Sequence, residues 1–211
     1  GTPLVYIPYF SAPDTSMPRK SGFLTPVYSA STSLGQGLAI PYYYVISPDR
    51  DITLTPTLYS RQGVMIGGEW RQRLETGTYS INGAIISQSD QGAFLSSPNG
   101  AGDQHVRGYI ETIGAFPINA RWKWGWDLAY VSDKWFYQNY KIDSPSVTQL
   151  GTIKRESTST AFLHGEDKNS LFDARTYYFQ TLLTDDNQNI QPLVLPVVDY
   201  DRRYHLGGAI G

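Results

Sequence analysis

Hydrophobic and polar residues alternate with a period of two along much of the chain. The clearest example is residues 121–131, where large apolar side chains occupy every second position and mostly charged or small side chains lie between them. Because side chains alternate across a β-strand, this segment has one apolar and one polar face. Less regular alternation, again with one apolar face each, occurs at residues 38–46, 51–58, 79–85, 177–183 and 190–200. The pattern predicts an all-β protein of antiparallel, up-and-down strands.

The connections between the predicted strands differ in length. Tight turns are predicted at residues 47–50, 75–78 and 116–119, where turn-forming residues occur. Longer polar stretches occupy residues 89–104 and 132–154. Counted along the strands, the tight turns and the long loops fall at opposite ends of the sheet. Outer-membrane barrels have this asymmetry, with short periplasmic turns and longer extracellular loops.

An aromatic stripe marks the apolar face of the strand at 121–131. Its members are Trp122, Trp124, Trp126 and Tyr130. Burying one such ring is worth a few kcal/mol, so we predict that the stripe faces lipid, or else a soluble core, rather than forming a sugar-stacking platform. The opposite face is then predicted to face a wet lumen. It carries Arg121, Lys123 and Asp127, whose basic members either meet anionic groups there or are only solvated.

Two prolines interrupt a part of the chain that carries no charge. No charged residue occurs from Ser21 to Pro48. This stretch predicts two uncharged strands joined at residues 33–37. Pro26 and Pro41 each remove one backbone donor from the ladder of these strands. In a sheet, such prolines belong at edges or at weak seams.

Composition excludes several classes of function. The 211 residues include 17 basic and 19 acidic side chains, and the net charge of −2 excludes a nucleic-acid binder held by a strong positive field. The absence of cysteine excludes disulfides, thiolate metal sites and cysteine nucleophiles. The three histidines are far apart in sequence. No run of about 18 apolar residues predicts a transmembrane helix, which leaves a transmembrane barrel open.

We find no motif for catalysis, for a cofactor or for a metal ion. Pairs of acidic residues occur at predicted turns and strand ends, where solvated carboxylates are ordinary. These pairs are Asp49 and Asp51, Asp185 and Asp186, and Asp199 and Asp201. The prediction is therefore a protein that is not an enzyme. One loop leaves two alternatives open, because Trp135, Phe136 and Tyr137 suit either an anchor at a membrane interface or a folded-back loop cap.

Several short sequence motifs occur together in the first third of the chain. They lie at residues 6–10, 19–26, 41–44, 46–56, 60–63 and 69–71, with a fainter echo at 126–133. In this order they resemble the family of the lipopolysaccharide-assembly outer-membrane protein LptD, also called organic solvent tolerance protein. The resemblance is most specific over residues 6–71, and beyond residue 135 it is mainly strand rhythm.

The resemblance implies a large transmembrane β-barrel preceded by a periplasmic β-jelly roll. On this basis residues 1–20 are the last jelly-roll strand and a linker. Residues 21–211 are then the N-terminal part of the barrel, with about ten strands that cannot close it alone. The domain junction would lie at Arg19, Lys20, Ser21 and Gly22. The barrel would lie in the outer membrane of a Gram-negative bacterium, with its N-terminal end in the periplasm.

The resemblance also implies transport rather than catalysis. In this family, lipopolysaccharide passes from an LptA-like periplasmic bridge protein through the jelly roll. It then leaves through a seam between the first and last strands of a barrel that an LptE-like lipoprotein plugs. Pro26 and Pro41 match the family's prolines that are held to weaken this seam. The alternatives are another outer-membrane channel, such as a porin-like barrel, and a soluble all-β carbohydrate-binding or hydrolase domain.

Overall fold

The computed structural model describes residues 19–94, 104–150, 153–183 and 186–203. Within these ranges most residues lie in β-strands and very few lie in helices. The strands are β1 (Gly22–Phe23), β2 (Val27–Ser31), β3 (Gly35–Ala39), β4 (Tyr42–Ser47), β5 (Arg50–Tyr59), β6 (Gly63–Leu74), β7 (Gly77–Ser87), β8 (Val106–Pro117), β9 (Trp122–Val131), β10 (Val147–Leu150), β11 (Ile153–Glu166), β12 (Ser170–Thr181) and β13 (Leu193–Arg202). The helical segments are α1 (Phe136–Asn139) and two 3-10 turns, Gln91–Phe94 and Gln188–Ile190. No helix in these ranges is long and apolar enough to cross a membrane.

The strands form one antiparallel sheet in which neighbours in sequence are also neighbours in space. Its main path runs β1, β4, β5, β6, β7, β8, β9, β11, β12, β13, with β2 paired to β3 and β10 paired to β11 beside that path. β1 and β2 are two parts of one interrupted long strand, and β3 and β4 are two parts of the next. Ten long strands therefore lie side by side in the described residues. The predicted all-β, antiparallel, up-and-down fold is confirmed.

The connections at the two ends of the sheet differ as the sequence predicts. Short turns join β4 to β5, β6 to β7 and β8 to β9, and together with the β11–β12 turn they form the trimmed end. The longer connections follow β7 and β9 at the opposite, elaborated end. Part of the first long loop, residues 95–103, lies outside the described residues.

The pleat sorts the side chains into two faces of different chemistry. Cross-strand pairing places a continuous set of apolar residues on one side, which we call the outer face. Representative residues there, each 43–56% exposed, are Leu54, Ile66, Ile85, Ile110 and Trp124. The opposite, inner face carries Asp51, Glu69, Arg107, Glu111 and Asp127. Large apolar side chains with this much exposure do not form a core, so the apolar face of the sheet is an exposed surface.

The buried core lies on the inner face, at the elaborated end. There the loop of residues 132–150, which we call the cap loop, folds back over the sheet. Phe136 and Tyr137 have no exposed surface, and the rings of Tyr137 and Tyr140 pack against Tyr109 and Phe94 at centroid distances of 5.3 and 5.8 Å. For Phe136 and Tyr137 the membrane-interface alternative is therefore wrong, and the folded-back cap is the observed structure.

The predicted alternation fails in the last strand. Arg175 pairs with Val197, but two residues further along β12 Tyr177 pairs with Val194, which is three residues away from Val197. This irregularity in the register places Val194 on the inner face, whereas Val198 lies on the outer face opposite Ala174. A β-bulge reverses the facing of every later side chain, so residues 190–200 do not share one face as their sequence predicts.

The turn between β6 and β7 generates a first test of the fold. Gly77 has φ +154°, and a Cβ atom at this position would lie 2.4 Å from the carbonyl oxygen of Ala115 and 2.6 Å from the Phe116 ring. We expect Gly77→Ala to lower the free energy of unfolding by about 1–3 kcal/mol, because backbone must shift to admit the methyl group. The measurement is urea unfolding of the full protein in detergent, followed by tryptophan fluorescence.

Gly22→Ala is the matched control, because nothing lies within 4 Å of a Cβ atom at that position. We expect its free energy of unfolding to stay within about 0.5 kcal/mol of the parent value. Equal stability of the two variants would contradict the close approach of β7 and β8 at Gly77.

Candidate functional site

The first two long strands pair less completely than their neighbours. We call residues 22–47, which comprise these strands, the N-terminal hairpin. Phe23 pairs with Tyr42 and Val27 pairs with Ala39. Between these pairs, three residues of one strand (24–26) face two residues of the other (40–41), and the regular ladder is interrupted. The interruption lies midway along the hairpin and coincides with both predicted seam prolines.

Pro41 leaves this interruption with an incomplete hydrogen-bond pair. Its carbonyl oxygen accepts a hydrogen bond from the Leu24 N–H at 2.9 Å. In an antiparallel ladder the two residues of such a pair normally exchange two bonds, and Pro41 has no N–H with which to return the second. Pro26 lies on the other strand, directly before β2, and also lacks a donor. The two prolines are thus neighbours within the hairpin, and their action as a gate stays a prediction.

A buried carboxylate, Asp51, holds Arg19, the first described residue, against the inner face. The side chain of Asp51 is 4% exposed, and its Oδ2 and Oδ1 atoms lie 3.0 Å from Arg19 Nη1 and 2.8 Å from Arg71 Nε. The Tyr43 hydroxyl donates to the same carboxylate at 3.2 Å. Asp51 therefore joins the predicted domain junction to β4, β5 and β6 through ionic hydrogen bonds, which are stronger than neutral ones.

The other predicted junction residues surround this contact. Ser21 Oγ accepts a hydrogen bond from the Val45 N–H at 2.9 Å, and Gly22 begins β1 opposite Tyr43. Lys20 is exposed. The domain boundary at residue 20 stays a prediction, because residues 1–18 lie outside the described residues.

The aromatic stripe of β9 lies on the outer face. Trp124 and Tyr130 are 43% and 60% exposed. Phe116 of β8 stacks on Trp124 at a centroid distance of 5.0 Å, and the ring of Trp122 contacts Phe172 of β12 at 5.4 Å. Trp126 donates its indole N–H to Thr112 at 3.1 Å. The stripe thus makes ring contacts with both neighbouring strands, to Phe116 of β8 and to Phe172 of β12. Its contact with lipid stays a prediction.

The three residues predicted to face a lumen occupy different places. Lys123 and Asp127 project from the inner face of β9, whereas Arg121 lies in the turn that precedes the strand. Arg121 lies 2.9 Å from Asp167 in the next turn of the trimmed end. Asp127 accepts a hydrogen bond from Ser146 of the cap loop at 2.6 Å. Arg121 and Asp127 are therefore engaged within the protein, and Lys123 is exposed on the inner face.

Sequence reasoning missed the residue that anchors the cap loop. The Arg107 side chain has no exposed surface, and its Nε and Nη2 atoms donate to both carboxylate oxygens of Asp133 at 2.7 Å. Its Nη1 atom donates to Gln88 Oε1 at 3.0 Å. Aromatic rings surround the guanidinium carbon at 5.3–5.6 Å: Phe94, Phe136 and Tyr140. A bidentate, fully buried pair of this kind fixes orientation as well as position.

A second contact fixes the cap loop further down the inner face. The Tyr137 hydroxyl donates to Glu111 Oε1 at 2.8 Å. Burial, together with the negative charge of Glu111, raises the pKa of Tyr137, so its hydroxyl stays protonated and keeps donating. Arg107, Glu111 and Asp127 together hold the loop over the inner face. Within the described residues, no group of three or more histidine or carboxylate side chains is placed to hold a metal ion.

Comparisons with known proteins agree on one family. A family model described as LptD, LPS transport system D, matches residues 105–209. The LPS-assembly protein LptD of Legionella pneumophila strain Paris is 31% identical over 159 residues, or 72% of this chain. Proteins of the same name from Pseudomonas aeruginosa strain LESB58 and Bordetella pertussis strain Tohama I are 29% and 28% identical over 78% and 98% of the chain. This chain belongs to the LptD family.

The match to the LptD family extends beyond the short sequence motifs that carry the resemblance. The matched range of the family model includes β10 to β13, which lie beyond residue 135, where the sequence resemblance is mainly strand rhythm. The predicted family is therefore confirmed. The matched regions span 19%, 18% and 24% of the three relatives, so the chain corresponds to about a fifth of the length of these LptD proteins.

The buried pair of the cap loop generates a second test. We expect Arg107→Met to lower the free energy of unfolding by about 3–5 kcal/mol, because it leaves the Asp133 carboxylate buried without its partner. The cap loop should also become accessible to protease. Both effects are measurable on the full protein in detergent, by urea unfolding and by limited proteolysis with mass spectrometry of the fragments.

Arg121→Met is the control, since it removes an arginine from a pair in which both side chains are about 40% exposed. It should change stability by only about 0–1 kcal/mol and leave the cap loop protected. A cap loop that is cleaved equally in both variants would show that Arg107 does not hold it.

Proposed function

We propose that this chain forms the N-terminal strands of an outer-membrane barrel that transports and assembles lipopolysaccharide in a Gram-negative bacterium. One observation carries the proposal: the sheet exposes apolar side chains on its outer face while its charged residues lie on the inner face. That is the reverse of a soluble sandwich, and it suits strands between hydrocarbon and a wet lumen. Membership in the LptD family supplies the class of cargo.

The proposed transport step needs no covalent chemistry. Lipopolysaccharide is an amphiphile, so its acyl chains and its charged head require different surroundings. We place the head group along the polar inner face and the acyl chains at a lateral seam that opens to the membrane. The incomplete ladder at Pro26 and Pro41 supports this assignment, because strands with fewer mutual hydrogen bonds separate at a lower free-energy cost.

The orientation follows from the two ends of the sheet. Short turns are typical of the periplasmic side of such barrels and longer loops of the extracellular side. The chain enters β1 at the trimmed end, where Arg19 contacts Asp51. Residues 1–20 would thus connect to a periplasmic jelly roll that receives lipopolysaccharide from an LptA-like bridge protein, while an LptE-like lipoprotein would plug the barrel.

The cap loop has a separate place in this proposal. It covers the inner face at the elaborated end, with Phe136 and Tyr137 fully buried. A cargo that moves along this inner face from the trimmed end would meet the cap loop, which is consistent with an exit through a lateral seam. Neither the porin-like alternative nor the soluble carbohydrate-binding alternative has a comparable observation in its favour.

Contact of the aromatic stripe with lipid is directly measurable. In vesicles of brominated phospholipid, which quenches indoles that it touches, we expect Trp124 to be quenched because it is exposed on the outer face. The fluorescence lost on Trp124→Phe should therefore belong mainly to the quenchable fraction of the full protein.

Trp135 provides the control, because it belongs to the cap loop, whose next two residues, Phe136 and Tyr137, are buried over the inner face. The fluorescence lost on Trp135→Phe should belong to the fraction that bromine does not quench. If the lipid quenches Trp135 as well as Trp124, the outer face is not the surface in contact with the membrane.

The seam prolines provide the functional test. Replacing Pro26 and Pro41 together by valine introduces two backbone donors and two β-branched side chains into the hairpin. Each new hydrogen bond should stabilise strand pairing by about 0.5–1.5 kcal/mol, so the seam should open less often and export should slow. The measurement is the rate at which newly made lipopolysaccharide reaches the cell surface in cells that express the full protein. An unchanged rate in the double variant would refute the seam.

A further inference from the structure

We propose that Pro56 extends the weakened pairing to a third strand, so that the N-terminal hairpin opens as one unit against β5. This inference rests on the proposed seam function and deepens it. It assigns a positioning role to a proline outside the two hairpin strands.

The ladder between the hairpin and β5 has its own interruption. Ala39 pairs with Thr57 and Tyr42 pairs with Leu54, which leaves Ile40 and Pro41 facing residues 55 and 56 outside the regular register. One bond bridges this gap, from the Ile40 N–H to the Pro56 carbonyl at 3.0 Å. Since Pro56 has no N–H, it cannot return the second bond of the pair. Ile40 and Pro56 therefore repeat the arrangement of Leu24 and Pro41 one strand further along.

On its other side β5 is paired without interruption. Its ladder with β6 runs from Arg50, opposite Gln72, to Tyr59, opposite Gly63, and it includes Pro56 opposite Ile66. The carbonyl of Pro56 points towards the hairpin, and in an extended strand the amide and carbonyl of one residue point to the same side. The missing donor therefore weakens only the ladder with the hairpin. The line of weak pairing crosses two ladders and ends at β5.

The hairpin is held at both of its ends. At the trimmed end, Asp51 of β5 contacts Arg19 and Tyr43. At the elaborated end, side chains of the β5–β6 turn reach the hairpin turn, with Arg61 Nη1 donating to the Thr32 carbonyl at 2.7 Å and Gln62 Nε2 to the Ser33 carbonyl at 2.9 Å. The weakest pairing thus lies midway along the strands, where a lateral opening would meet the interior of a membrane.

The first experiment adds the missing donor. In full-length Pro56→Val, a new bond from residue 56 to the Ile40 carbonyl should slow hydrogen exchange at the Ile40 amide about two- to tenfold, the equivalent of one hydrogen bond. Leu54→Val is the matched control, because it places the same side chain on the same face of β5 and adds no donor. Equal exchange at Ile40 in the parent and Pro56→Val would overturn the proposal.

The second experiment closes the gap covalently and does not depend on how well valine fits. Ile40→Cys with Pro56→Cys should form a disulfide, because directly opposed residues of an antiparallel pair lie within the Cα separation that disulfides span. This chain has no cysteine of its own. We expect the oxidised double variant to lose surface delivery of lipopolysaccharide. When reductant is added, delivery should recover to the rate of Pro56→Cys alone, which has the same added backbone donor.

Pro56→Cys with Ile66→Cys is the control crosslink, since it joins β5 to β6 on the same face. It carries the same change at Pro56, so it should deliver lipopolysaccharide at the rate of Pro56→Cys alone in either redox state. Normal delivery with the Ile40–Pro56 crosslink intact would overturn the proposal, as would equal loss with both crosslinks. The proposed function fails separately, if valine at Pro26 and Pro41 leaves export unaffected.

Discussion

The hydrogen-bond ladder between neighbouring strands is the interaction on which this structure depends. The sheet turns its apolar side outward, so its strands gain little from burying that face inside the protein, and the ladder supplies much of their cohesion. Where the ladder is complete, as between β5 and β6, the strands form a fixed wall. Where prolines remove donors, as in the N-terminal hairpin, cohesion falls locally. The positions of the prolines in the sequence thus determine where the pairing between strands is weak.

The sequence predicts those parts of the fold that follow from local rules. Alternation with a period of two identifies the apolar side of β9, because each side chain's facing depends only on its parity within the strand. Turn residues identify the trimmed end for the same reason. The prolines are visible in sequence as missing donors. Their meeting at one level of the hairpin, and the addition of Pro56 from β5, depend on register, which alternation alone does not determine.

Other features depend on contacts between residues that are distant in sequence. Nothing in the sequence around Arg107 distinguishes it from any other arginine on the polar face of a strand, because its partner Asp133 lies 26 residues further along, in a loop. The aromatic residues of the cap loop suit a membrane interface as well as a core, and only the place to which the loop folds decides between them. The bulge opposite Tyr177 likewise has no clear local sequence signal. The sequence therefore does not predict that Val194 lies on the inner face.

Side-chain contacts and backbone hydrogen bonds contribute differently to the cap loop and to the N-terminal hairpin. The cap loop is held by charged groups on the inner face, and one of its anchors is the desolvated bidentate pair of Arg107 and Asp133. The N-terminal hairpin is held at its ends by side chains and is weak in its middle through its backbone. The proposed function, in which an amphiphile leaves sideways while the end of the sheet stays covered, requires both properties. Placing the firm contacts in side chains and the weak ones in the ladder allows one sheet to have them together.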